Sequence, residues 1–392
     1  MNTLKSFALL GVCIFSCVSS FAQYWYKGNL HTHSLWSDGY DYPEMIVDWY
    51  KARGYNFIGL SEHNKLQEGE LWKNPRSVEE KEIFNRYLSR FGSEVEYKRF
   101  ENDSIRVRLK TLEEYKGAME EPGKFFIYQS EEVTSSSNGL PVHMIATNVK
   151  YVTSGQYGKN ATEIMQKTTD KILQQRKETN QKMIIQVNHP NFGYALTADD
   201  IKPLLNTRFF EVFNGGPPTN NYGNETHDST EVIWDKVNLH FLNNKRPLLL
   251  GVGVDDAHHY YEFDSRWHNP GRVWIMVNAP KLDRQTIIAS MEAGKFYASS
   301  GVTLNELSFG KDKIDLKIKK EEGVLYKILF IGIKKGKDKA EVLKMVEGTE
   351  ASYPVTKNEL FVRAKIISSK LKENPFRKGD FECAWTQPVT QY

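Results

Sequence analysis

Cysteine is nearly absent from this 392-residue chain. Cys13 and Cys17 stand near its start and Cys383 near its end. If the first two are removed with a leader, no internal disulfide can form, and stability must come from packing and bound metal. A thiolate metal cluster is excluded on the same ground. Charge of one sign is also lacking. The net charge is +3, so no polyanionic partner is implied, and no specific nucleic-acid partner is indicated. The small excess is local, because residues 301–392 carry 18 Lys and Arg against 13 Asp and Glu. Beyond the start of the chain no apolar stretch approaches the ~20 residues that cross a bilayer, so no transmembrane segment is expected. Internal repeats and low-complexity stretches are missing as well. Aromatics are not scarce: 21 Phe, 20 Tyr and 8 Trp provide for a sizeable core.

Residues 1–22 read as a secretory signal. Lys5 supplies the positive start, Phe7 to Val18 a short apolar run, and Ser20-Phe21-Ala22 a small-x-small cleavage site before Gln23. The expected destination is the periplasm or the exterior. Lipoprotein anchoring at Cys17 is the rival reading, weakened by Phe15 and by the short tether that would remain before the first strand.

Apolar runs alternate with helical patterns over the next 230 or so positions. Strands are expected at Tyr26–His33, Asn56–Glu62, Lys124–Val133, Val142–Thr147, Met183–Val187, Phe209–Phe213 and Pro247–Val252. Helices are expected at Pro43–Ala52, Val78–Arg90, Thr111–Glu120, Glu163–Thr179 and Thr230–Leu242. Short, nearly continuous apolar strands alternating with helices predict an α/β barrel with mainly parallel strands. Residues 65–124 form a charged insertion, read either as a solvated excursion or as a lid or substrate wall. After residue 300 apolar and polar residues alternate in short runs, as in KIDLKIKK and LYKILFIGI, which predicts a small β-sandwich-like domain at 301–392. The resulting division is a leader at 1–22, a barrel at 23–300 and a β domain at 301–392.

Histidine is where the sequence concentrates its chemistry. Of ten His, only His227, His240, His259 and His268 lie outside the set of candidate ligands carried by a few motifs, and none follows residue 268. The motifs run NLHTHSLWSDG, LSEHN, SEEVTSSSNGLPVHMI, VNHP and GVGVDDAHHY. They supply His31, His33, Asp38, His63, Glu132 (or Glu131), His143, His189, Asp256 (or Asp255) and His258 as candidate metal ligands. Imidazole with carboxylate suits Zn, Mn or Fe. His31 and His33 are two apart on a strand and so share one side. Each motif falls at or just after the carboxyl end of an expected strand, the face on which barrel active sites assemble.

The order HxH, SDG, EHN, SEE, H, NHP, DAH resembles the PHP family, the polymerase and histidinol phosphatase superfamily. The resemblance spans residues 26–260. It implies a distorted seven-stranded (β/α) barrel that binds two to three divalent ions and hydrolyses phosphoesters. Under it, His31 and His33 would hold one ion with Asp256, and Glu132 would bridge. Asp38, His63, His143, His189 and His258 would complete the neighbouring sites. GRVWIMVNAP, EAGKFYASSG and FVRAKI…AWTQPV are similar to stretches of secreted bacterial members with an appended β domain. Two positions depart from the family pattern: Glu62 stands where Asp usually precedes the motif histidine, and Ser130 where Gly usually precedes the glutamate by two.

The expected activity is metal-dependent hydrolysis of a phosphomonoester or phosphodiester, small or polymer-derived. Hydrolysis of a carboxyl ester, amide or carbamate is the alternative, since an activated water attacks either centre. A binding module for an envelope polymer, held by structural metal, is a third possibility. His259 and His268 are candidate general acids. Arg266 and Arg272 are candidate phosphate-binding side chains, with surface or structural arginine as the plain alternative.

Overall fold

The structure is a computed structural model describing residues 24–392. The leader and both cysteines read from it lie outside the described residues. No helix among the described residues is long and apolar enough to cross a membrane.

The strands form where apolar runs permit burial of both faces. Seven of them pair in an unbroken order: Trp25–Asn29, Phe57–His63, Phe126–Ser137, Leu140–Thr147, Ile184–Val187, Phe209–Asn214 and Leu250–Val254. Pairing is parallel except around Leu140–Thr147, which runs antiparallel to both neighbours. That reversal follows from the Asn138-Gly139 turn. Both residues take positive φ, and they fold Phe126–Ser137 directly back on itself. A parallel bridge between Thr32 and Ala257 ties the run after the first strand to the run after the last. The His33 amide donates to the Ala257 carbonyl at 2.9 Å, and the Asp256 amide to the His31 carbonyl at 3.0 Å. The two motifs with ligands two residues apart therefore lie side by side at this seam.

The helices sit where the periodicity placed them: Pro43–Ala52, Val78–Phe91, Leu112–Met119, Ala161–Thr179 and Thr230–Asn243. Proline opens the first of them, and Ser77 caps the second by accepting from the Glu80 amide. The insertion builds a three-stranded antiparallel sheet, Leu71–Lys73, Ile105–Leu109 and Tyr97–Arg99, backed by Val78–Phe91. Its apolar face closes over Trp36 and Tyr42, which flank Asp38 in the loop after the first strand. The Trp36 indole donates to the Lys110 carbonyl at 3.1 Å. The insertion is thus packed against the loop that carries Asp38.

The sheet does not stop at residue 300. Trp274–Asn278 pairs antiparallel with Trp25–Asn29, and the order continues through Phe296–Ser299, Phe381–Thr386, Glu359–Leu371, Tyr326–Lys334 and Glu341–Glu347. A second sheet, Leu304–Leu307, Lys313–Ile318 and Glu350–Pro354, faces the last of these strands across an apolar core. Alternation is visible in Tyr326–Lys334, where Tyr326, Ile328, Phe330 and Gly332 are buried in turn. Packing and a buried ion pair help tie this region to the α/β body. Trp385 stacks on Phe213 at 5.1 Å, and buried Arg363 pairs with Asp235 and Glu231 of Thr230–Asn243.

Candidate metal centre

One carboxylate organises the site. Glu132 is buried near the end of its parallel pairing with Phe57–His63, and five imidazoles surround it. Its Oε1 lies 3.4 Å from His31 Nε2, 3.1 Å from His143 Nδ1 and 3.2 Å from His189 Nε2. Its Oε2 lies 3.3 Å from His33 Nε2 and 3.0 Å from His63 Nδ1. Asp256 forms a second focus, with Oδ1 at 3.1 Å from His31 Nε2 and 3.4 Å from His33 Nε2. Asp38 forms a third at the open edge. Its Oδ2 stands 3.3 Å from His63 Nε2 and 3.5 Å from His258 Nε2, and its side chain is 54% exposed.

These separations fit shared cations. Ligand atoms about 2.1 Å from one ion stand roughly 3–3.5 Å apart. The Nε2 atoms of His31 and His33 approach to 3.1 Å, although at most one can donate to the other. His33 Nδ1 is buried without a hydrogen-bond partner, 3.6 Å from Asp38 Oδ1. Three overlapping groups follow, each with its donor atoms mutually within 4.8 Å: His31, His33 and Asp256; His31, Glu132 and His189; and His33, Asp38, His63 and His258. His63, Glu132 and His143 form a further such group.

The electrostatics point the same way. Burial alone would raise the Glu132 carboxyl, but His31, His63 and His143 outweigh it and hold the group well below the usual carboxylate range. Asp256 is likewise held low against its burial, by His31, His33 and His258. Burial and the neighbouring His258 press His33 down to about 3, which favours the neutral ring with one nitrogen lone pair available. A centre of this kind is built around positive charge.

The paired acids at two motifs part company. Glu131 turns to the opposite face and accepts from the Thr153 and Ser154 amides at 2.6 and 2.8 Å. Asp255 accepts from the amides of Gly271, Arg272 and Val273 and from the Tyr50 hydroxyl. Glu132 and Asp256 are the members that meet the histidines. Asp256 does so at a positive φ of 51°, a strained setting that aims its carboxylate inward.

The four candidates outside the ligand set are placed differently. His268 reaches the edge of the cluster, with Nδ1 3.1 Å from the Asp256 carbonyl, and forms a donor group with Asp256 and His258. His259 points away and is stacked between Tyr40 and Trp267. Burial, with the neighbouring imidazoles, brings both down to about 4. Arg266 is exposed and paired with Asp264, away from the histidines. Arg272 is buried, and its guanidinium is spent on carbonyls: Gly215, Trp267, Asp264 and Asn374 all accept from it. The buried Arg272 guanidinium thus has its donors taken up by protein oxygens, while Arg266 lies at the surface.

Sequence reasoning missed Glu211. It lies in the fully buried strand FFEVFN and accepts from His31 Nδ1 at 2.7 Å, the His189 amide at 2.7 Å, Gln186 Nε2 at 2.8 Å and Asn214 Nδ2 at 2.9 Å. A single acid in a buried, mostly apolar strand was the available signal. Other supporting groups are Asn188, which donates to Glu132 at 2.8 Å, and Thr134, whose hydroxyl meets His63 Nδ1 at 2.5 Å. Glu62, where the family pattern has Asp, binds the Ser34 and Ser37 hydroxyls and Gln67, and so anchors the turn leading to Asp38.

No family model matches the chain, and no curated protein matches it. Two solved structures are similar. One is a two-domain protein containing a predicted PHP-like metal-dependent phosphoesterase from Bacteroides vulgatus ATCC 8482, with 13% identity over 93% of this chain and 95% of that one, at a TM-score of 0.40. The other is a candidate metal-dependent phosphoesterase from Bifidobacterium adolescentis ATCC 15703, with 10% identity over 67% of this chain and 93% of that one, at a TM-score of 0.31.

Proposed function

We propose that this protein is an exported, metal-dependent phosphoesterase of the polymerase and histidinol phosphatase type, holding two to three divalent ions of the Zn, Mn or Fe class. One observation carries the reading: both oxygens of buried Glu132 are shared among five imidazoles, while Asp256 and Asp38 serve overlapping histidines on either side. A closed structural site needs four ligands, and nine gathered around shared carboxylates suit adjacent ions with positions left for substrate.

Divalent ions bound there would neutralise phosphoryl charge and supply a water of lowered pKa. The chain's own part is to fix the ligand geometry and to leave one side open. Glu211 holds the rings of His31 and the chain at His189, Asn188 orients Glu132, and half-exposed Asp38 marks the side from which a substrate enters. A phosphoryl group offers two or more anionic oxygens to neighbouring ions, whereas a carboxyl ester offers one neutral carbonyl oxygen. Export belongs to this proposal and rests on the leader-like residues 1–22.

The test is purified protein loaded in turn with Zn, Mn and Fe and assayed on matched phosphomonoester, phosphodiester and carboxyl-ester substrates. Phosphoester turnover should exceed carboxyl-ester turnover by a wide margin, with inhibition by inorganic phosphate. Faster turnover of carboxyl esters or carbamates, without phosphate inhibition, would replace this reading with the metal-dependent carboxyl-ester hydrolase.

A further inference from the structure

Arg272 joins three segments that are distant in sequence. Its Nη1 donates to the carbonyls of Gly215 at 2.9 Å and Trp267 at 2.6 Å, its Nη2 to that of Asp264 at 2.9 Å, and its Nε to that of Asn374 at 2.9 Å. The residue is 4% exposed. Gly215 follows the strand whose last residue, Asn214, donates to Asp256 Oδ2 at 3.2 Å. Trp267 precedes His268, whose carbonyl accepts from the amides of both His258 and His259 at 2.9 Å. Asn374 belongs to the loop 373–379 between Glu359–Leu371 and Phe381–Thr386 of the C-terminal strands. The same loop makes a second attachment nearby, where Phe376 packs on Phe213, and Asp380 just after it accepts from the Tyr222 hydroxyl at 2.6 Å.

We infer that Arg272 is a positioning residue through which the C-terminal loop 373–379 holds the ligand segment 256–268 in register at the metal centre. The inference rests on the metal-centre reading above. A buried guanidinium fully committed to carbonyls gives each of them a charge-assisted bond in a fixed plane. Removing one of the three segments leaves part of that fork unpaired in a buried setting, so the others lose their register. Lysine cannot replace it, because one ammonium on a flexible stem cannot span the set. The C-terminal strands hold none of the candidate ligands, yet by this route they complete the site.

The loop can be shortened cleanly. The Lys372 amide donates to the Asp380 carbonyl at 3.0 Å, so the loop ends already face each other across a hairpin. Replacing residues 373–379 by an Asn-Gly turn keeps that pairing. The full chain with this shortened loop, Arg272→Lys, and the two combined would be titrated with Mn²⁺ alone, with thermal unfolding and amide exchange followed on the metal-free protein. The expected result is at least tenfold weaker binding of one ion in each variant, faster exchange over residues 257–270, and no further loss in the combination. Full Mn²⁺ affinity with unchanged exchange in the shortened-loop chain would overturn the inference, as would losses that add. If Arg272→Lys fails to fold, the shortened-loop chain decides alone. No substrate enters these measurements, so a chain that hydrolyses no phosphoester still tests the positioning role.

Discussion

His31 Nδ1 meets Glu211 Oε1 at 2.7 Å while His31 Nε2 faces Asp256 and Glu132, so one imidazole is gripped at its back by a buried carboxylate and aimed forward at two others. This is the arrangement that fixes a ligand's tautomer and raises its basicity. Glu211 also accepts from the His189 amide and so sets two candidate ligands that follow different strands.

Glu211→Gln should weaken divalent-ion binding by about 10–100-fold while leaving the fold in place, because the amide keeps the shape and loses the charge behind His31. Competition titration against a chromogenic chelator measures it. Unchanged affinity would mean that the His31 ring is held by packing alone.

His31→Ala should lower activity by orders of magnitude and reduce the metal content from the two to three ions expected per chain, read by elemental analysis. His227→Ala is the control. His227 stacks on Tyr194 in an exposed loop and belongs to none of the donor groups. Equal losses in the two variants would show that the wrong histidines had been assigned.

Asp41 is buried at the end of the loop that carries Asp38. Burial, opposed by the Tyr42 amide and Arg86 and reinforced by Glu44, pushes its carboxyl up to about 7. The folded chain therefore holds the proton more tightly than the unfolded one. Stability should fall as pH rises from about 4 through 7 and level off above that. Asp41→Asn should flatten this slope and raise the melting temperature at pH 8, checked by thermal unfolding across pH 5–8. A mutant slope equal to the parent's would place the titration elsewhere.

Trp385 is 2% exposed and packs in the same core as Phe213 and Trp234, far from its neighbours in sequence. Trp385→Ala should cost about 3–5 kcal/mol of stability. Truncation at Gly301 should leave a chain that does not fold cooperatively, because it strips Phe296–Ser299 of one of its two pairing partners and opens that core. A truncated chain with a sharp melting transition and full metal content would contradict this.

Much of the α/β body was legible because its signals are local. The helix Pro43–Ala52 was readable to the residue from its leading proline and its periodicity. HxH declared its own geometry, since alternation along an extended chain puts His31 and His33 on one side whatever surrounds them. The choice between Glu131 and Glu132 was legible only as a fork: alternation sends them apart, and the position of the neighbouring strands decides which one faces the histidines. Gathering His63, His143 and His189 on one carboxylate needed strand order, including the hairpin at Asn138-Gly139 that reverses Leu140–Thr147 and brings His143 round to Glu132.

What the sequence determined by itself was the donor inventory and the strand ends that carry it, because ligand chemistry and backbone period are properties of a few consecutive residues. What only the tertiary structure decided was the support: Glu211 behind His31, Arg272 tying Asn374 to the ligand segment, and the sheet that runs on from the α/β body into the C-terminal strands. These join positions tens to hundreds of residues apart, and a buried charge finds its partner only once the chain between them has folded, so no window along the sequence contains both.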